Sequence, residues 1–99
     1  INMYQIEDQI QTTEFNGLKP IKLASKDNCE TILIVLEKGH TFPEHISPRD
    51  ALLVMLEGSI TFHINNNEYK LKKHQSFTFP SKVAHKVLAE ENSKFLIVR

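Results

Sequence analysis

Glycine, proline and asparagine cut the chain into pieces of roughly eight to twelve residues, and the pieces between them are short and rich in Ile, Val, Leu, Phe and Thr. That rhythm predicts an all-β sandwich or barrel of antiparallel strands. Strands are expected near Leu18 to Ala24, Thr31 to Lys38, Ala51 to Glu57, Ser59 to Ile64, Glu68 to Lys72, Ser76 to Phe79, His85 to Ala89 and Lys94 to Val98. Eight strands is the count of a closed or nearly closed barrel.

Within this frame the alternation of side chains assigns faces. Asn65, Asn66 and Asn67 tolerate positive φ and predict a hairpin reversal, so Ile60, Phe62 and Ile64 share one face while Thr61 and His63 take the other. His63 is thereby a surface or groove residue. The run Ala51 to Leu56 is apolar on both faces, which demands a cover for its outer side. Either the N-terminal segment or a second subunit would supply it, and the second choice predicts a homodimer. Met3, Ile6 and Ile10 suit a short helix or an irregular packing arm equally well.

Composition excludes several classes. Ninety-nine residues predict one domain, 1–99, with 40% apolar and 24% charged residues, so neither disorder nor a fibrous repeat is indicated. Twelve basic residues balance twelve acidic ones, and Lys72-Lys73 is the only adjacent basic pair, which argues against a nucleic-acid partner. No apolar run approaches the ~20 residues of a membrane span. The single cysteine, Cys29, has no intrachain partner, and together these features predict a cytoplasmic protein. Met3 reads as a natural start, with Ile1 and Asn2 preceding it.

One constellation carries chemistry. Five residues separate Gly39 from His45, Ser47 follows two positions on, Ala51 four beyond that, and six residues lie between Ala51 and Gly58. Downstream, four residues separate Pro80 from His85. This spacing resembles the two motifs of the cupin family, the first over about 39–58 and the second over about 74–89. The resemblance implies a jelly-roll barrel, the double-stranded β-helix of RmlC-like proteins. It also implies that His45, Ser47, Ala51 and His85 occupy the positions where family members carry three histidines and a glutamate around a divalent metal.

Two of those four ligands are absent, including the carboxylate, which removes charge and ligand number that iron or manganese need. His74 and Lys82 stand where the second motif has glycines, and Ala89 where it often has asparagine. Glu44 and Asp50 each lie one residue from a motif position, and either could complete a two-histidine, one-carboxylate triad. Asp50, at the start of its strand, is the better placed, because a one-residue shift within a strand reverses the face.

The reading that requires least is a small cupin barrel that has half lost its metal site and binds a small polar or sugar-like ligand through His45, Ser47 and His85. Leu53, Met55, Phe79 and Val87 are the expected walls. A second is a metal-dependent oxygenase or isomerase in which His45, His85 and a nearby carboxylate hold Fe, Mn, Ni or Zn. A third is a metal-independent epimerase or isomerase with His45 or His85 as catalytic base. His40 and His74, beside turn residues, are expected in solvent, with His40 a distant candidate for the cavity mouth.

Overall fold

The computed structural model describes residues 3–99; Ile1 and Asn2 lie outside the described residues. After a helical turn, α1 (Gln9–Thr12), come β1 (Leu18–Lys26), β2 (Cys29–Leu36), β3 (Thr41–His45), β4 (Ala51–Glu57), β5 (Ser59–Ile64), β6 (Asn67–Lys72), β7 (Ser76–Phe79), β8 (His85–Ala89) and β9 (Ser93–Val98). They form a five-stranded sheet in the order β1-β2-β9-β4-β7 and a four-stranded sheet in the order β3-β8-β5-β6. Every pairing is antiparallel, and the two sheets close on one another as a jelly roll.

Eight of the strands were expected; β3 was not. Its sequence Thr41-Phe42-Pro43-Glu44-His45 carries a proline, which cannot donate to a ladder and is confined to edges and bulges. Both conditions are met, since β3 is the edge of its sheet and its register with β8 slips between Phe42 and His45.

The reversal between β5 and β6 follows the asparagines, with Asn65 at φ 52° and Asn66 at φ 61°, the left-handed pair that a two-residue hairpin needs. Ile60, Phe62 and Ile64 point into the core as the alternation requires. Thr61, on the opposite face, is nevertheless buried, and its hydroxyl is satisfied by donating to the Glu90 carboxylate at 2.7 Å.

β4 buries Ala51, Leu53 and Met55 inside the barrel and leaves Leu52, Val54 and Leu56 half-buried outside. Part of the outer face of this sheet is roofed by the N-terminal segment. Lys94, on β9, donates through Nζ to the carbonyls of Ile10 (2.6 Å) and Gln11 (3.2 Å) and lies over the Phe15 ring. Met3, Tyr4 and Ile6 remain exposed. Among the described residues no helix is long and apolar enough to cross a membrane.

A candidate ligand cavity with a histidine pair

The inner face of the five-stranded sheet is set by alternation: Ile32 and Ile34 on β2 stand opposite Ile97 and Phe95 on β9, and Pro20 on β1 lies beside Ile34. Facing them from the other sheet are Phe42, Phe62 and Val87. Together with Phe79 from β7, these side chains line a cavity of about 290 Å³ whose polar groups come from His45, Ser47, His85 and Arg99.

His45 owes its place to an irregularity in β3. Phe42 and His45 are three residues apart, an odd spacing that would send them to opposite faces of a regular strand. Phe42 pairs with Val87 and His45 with His85, so three steps along β3 match two along β8. The extra residue is a β-bulge, and it turns both side chains inward. The two rings stack with centroids 4.2 Å apart.

His85 is buried in an aromatic box. Phe62 stacks on it at 5.3 Å, Phe79 tilts against it at 4.6 Å, and His45 meets it edge-on at 4.3 Å. Burial pushes its pKa below the ordinary histidine value; the hydrogen bond with the Val83 carbonyl opposes this, and the neighbouring His45 and Arg99 reinforce it.

The tautomers follow from hydrogen-bond chemistry. His45 Nδ1 lies 2.7 Å from the Pro43 carbonyl and His85 Nδ1 lies 3.0 Å from the Val83 carbonyl. A carbonyl only accepts, so both Nδ1 atoms carry hydrogen. In the neutral rings each Nε2 then presents a bare lone pair, and these two atoms face one another at 3.1 Å. Something electron-poor must stand between or before them: a shared proton, a ligand's donor or a cation.

Two imidazoles fixed through Nδ1 are arranged as metal-ligating histidines are, yet the rest of a metal's donor set is missing. Among the described residues no group of three His, Cys, Asp or Glu side chains converges. Ala51 offers no donor. Glu44, carried outward by the bulge, lines a separate surface groove with His63, Glu68 and Lys86. Asp50 lines another depression and accepts the Ser81 backbone N–H at 2.8 Å, clasping the 46–50 loop to the 80–84 loop. The expected rescue by a neighbouring carboxylate is therefore not met, and the residues present do not fit a resident transition metal.

Of the expected walls, Phe79 and Val87 line the cavity, while Leu53 and Met55 do not. Both are fully buried: Leu53 pairs across the sheet with Phe77 and Ile97, and Met55 with Phe95. Ser47 also lines the cavity and is buried, its hydroxyl donating to the Arg49 carbonyl at 2.6 Å. His40 is held 3.4 Å from Glu37 and His74 is exposed in a turn, so neither reaches the cavity. Phe42, Phe62 and Phe95 line the cavity too, more of the scattered phenylalanines than the one or two that the sequence suggests, and Arg99 joins them without any sequence signal.

A closed antiparallel barrel with a motif histidine from each of two paired strands is the architecture of a cupin. Residues 32–98 match the cupin domain, and the chain belongs to that family. It is similar in structure to a conserved protein of unknown function from Streptococcus pyogenes, with 23% identity over 99% of this chain and 88% of that one, TM-score 0.83. A RmlC-like cupin from Desulfovibrio desulfuricans has 16% identity over 96% and 94%, TM-score 0.84. KdgF from a Halomonas species has 17% identity over 83% and 76%, TM-score 0.76. No curated protein matches the chain.

Proposed function

We propose that this cupin is a small-molecule-binding barrel, in which His45 and His85 address a hydroxyl or other donor group of the ligand while aromatic and aliphatic walls hold its body. The observation that carries this reading is the pair of converging Nε2 atoms 3.1 Å apart at one side of an apolar cavity. At ~30 Å³ per water, about 290 Å³ holds about ten water volumes, so the ligand has about ten non-hydrogen atoms. With so few polar groups on the walls, a polar head on an apolar body is matched better than a sugar whose every hydroxyl needs a partner.

Less supports the metal-dependent alternatives, because Glu44 and Asp50 lie elsewhere. A metal-independent epimerase would want a carboxylate behind its basic histidine, whereas both Nδ1–H groups here donate to backbone carbonyls. A homodimer formed over the half-buried Leu52, Val54 and Leu56 is compatible with ligand binding. Light scattering at the monomer mass would remove it.

Thermal melts with a panel of small alcohols, phenols and polyols test the binding reading. The wild type is expected to gain Tm with members of about ten heavy atoms, and a His45→Ala, His85→Ala double variant to lose the gain. Unchanged melting across the panel, or an equal gain in the double variant, overturns it.

A further inference from the structure

The cavity mouth carries a charge pattern unrelated to the histidine motif. Beyond β9, Arg99 continues the ladder with β2: Glu30 N–H donates to the Arg99 carbonyl at 2.7 Å and Arg99 N–H to the Glu30 carbonyl at 3.0 Å. Arg99 has the inward parity of Phe95 and Ile97 and lines the cavity with them. Its Nε donates to Glu30 Oε1 at 2.6 Å, which fixes the guanidinium and leaves the four donors of its terminal nitrogens.

Glu30 is not matched one to one. Lys22 Nζ lies 3.3 Å from its Oε2, and Arg49 Nη2 lies 4.0 Å from its Oε1 and donates to the Arg99 carbonyl at 3.4 Å. Three cationic side chains thus gather around one carboxylate side chain, a local excess of positive side-chain charge in a chain whose formal net charge is zero. The site stands at the open end of an apolar cavity, where low-dielectric walls strengthen attraction for an anion.

We propose that the ligand is a small organic acid, its carboxylate paired with the terminal nitrogens of Arg99 at the mouth and its body directed inward past the phenylalanines toward His45 and His85. Planar guanidinium suits carboxylate because two N–H donors match its two oxygens. Glu30 acts as a positioning residue: it orients Arg99 but also competes with the ligand for its charge. This assignment rests on the small-molecule reading above and adds the ligand's charge to it.

The test compares acids with isosteric neutral amides: 6-hydroxyhexanoate and 4-hydroxycyclohexanecarboxylate against the corresponding carboxamides, by calorimetry on the wild-type chain at low salt. The acids are expected to bind at least about tenfold more tightly than the amides, as befits a charged hydrogen-bonded pair. Arg99→Gln should erase that preference, and Glu30→Gln should increase acid affinity by removing the competitor. If Arg99 served only to tie β9 to Glu30, both variants would weaken binding alike, and that outcome overturns the proposal. Equal binding of acids and amides also overturns it while leaving the small-molecule reading intact. Absence of binding by acids and amides alike would sink that reading and the proposal together.

Discussion

His45 and His85 reach across the β3–β8 pairing to place their Nε2 atoms 3.1 Å apart, each ring locked by a carbonyl two residues before it, Pro43 for one and Val83 for the other. The symmetry is local: a bulge in β3 does for His45 what regular alternation does for His85. At a bond length of ~2.1 Å, two nitrogens at that separation subtend roughly 95° at a common ion. Two of the four motif positions thus carry nitrogen donors at short range, while Ser47 and Ala51 supply neither an imidazole nor a carboxylate.

That contrast predicts that restoring donors restores metal binding. Ser47→His with Ala51→Glu would place an imidazole and a carboxylate at the two vacant motif positions, one in the cavity lining and one at the start of β4. Zn²⁺ or Ni²⁺ affinity should rise by at least about 100-fold over the wild type, since even losing an outer-shell partner changes affinity by ~10–100-fold. Calorimetric titration reads this directly. An unchanged affinity in a folded double variant would show that the two strands do not present those positions to the histidines.

Stability should depend on pH through His85. Its pKa is lowered in the folded state, mainly by burial, so the unfolded chain binds a proton at higher pH than the folded one does. The contribution is fully present above the ordinary histidine value of 6.5 and is lost as pH falls from there toward the folded pKa. Urea unfolding between pH 7.5 and 5, set by the ~6.5 reference, should show falling stability in the wild type and a shallower slope in His85→Gln. Equal slopes would mean that His85 does not carry the effect.

How far the sequence foretold this arrangement depended on the kind of information needed. Strands such as β4 and β5 announce themselves by runs and alternation, and His45 and His85 by their spacing from Gly39 and Pro80. β3 was hidden because Pro43 reads as a strand breaker until an edge and a bulge accommodate it. Leu53 and Met55 were expected as walls because parity gives a face but not a depth; Phe95 and Phe77 stand across from them. Arg99 belongs to no motif, and its place in the cavity lining follows only from the β2–β9 register.

The departures from the second motif have a conformational cost. His74 and Lys82, which stand where the resemblance to the second motif implies glycine, adopt φ of 72° and 62°. A side chain in that region costs roughly 1–2 kcal/mol, offset in part by the entropy glycine adds to the unfolded chain. His74→Gly and Lys82→Gly should therefore each stabilise the fold by up to about 1 kcal/mol in denaturant titrations. Gly58, at φ 80°, is the opposite case: a Cβ there would press on the Asn92 carbonyl and on Ser93, so Gly58→Ala should be strongly destabilising. Destabilisation by both glycine substitutions would mean that the His74 and Lys82 side chains contribute more than their backbone strain costs.

Phe62 links the core to the cavity, and truncating it should affect both. The side chain is 1% exposed; one face of its ring stacks with His85, and its centroid lies 4.9 Å from those of Phe77 and Phe79. Phe62→Ala is expected to cost about 3–5 kcal/mol, the transfer loss plus that of the void left behind. The void opens into the existing cavity, so larger ligands gain room while the His85 ring loses the stack that holds its plane. Probes with about ten heavy atoms, sized to the wild-type cavity at ~30 Å³ per water volume, should therefore bind the variant more weakly. Probes extended by a phenyl group should bind it more tightly than they bind the wild type. Parallel losses for both probe sizes would place Phe62 in the core alone and detach it from the ligand's path.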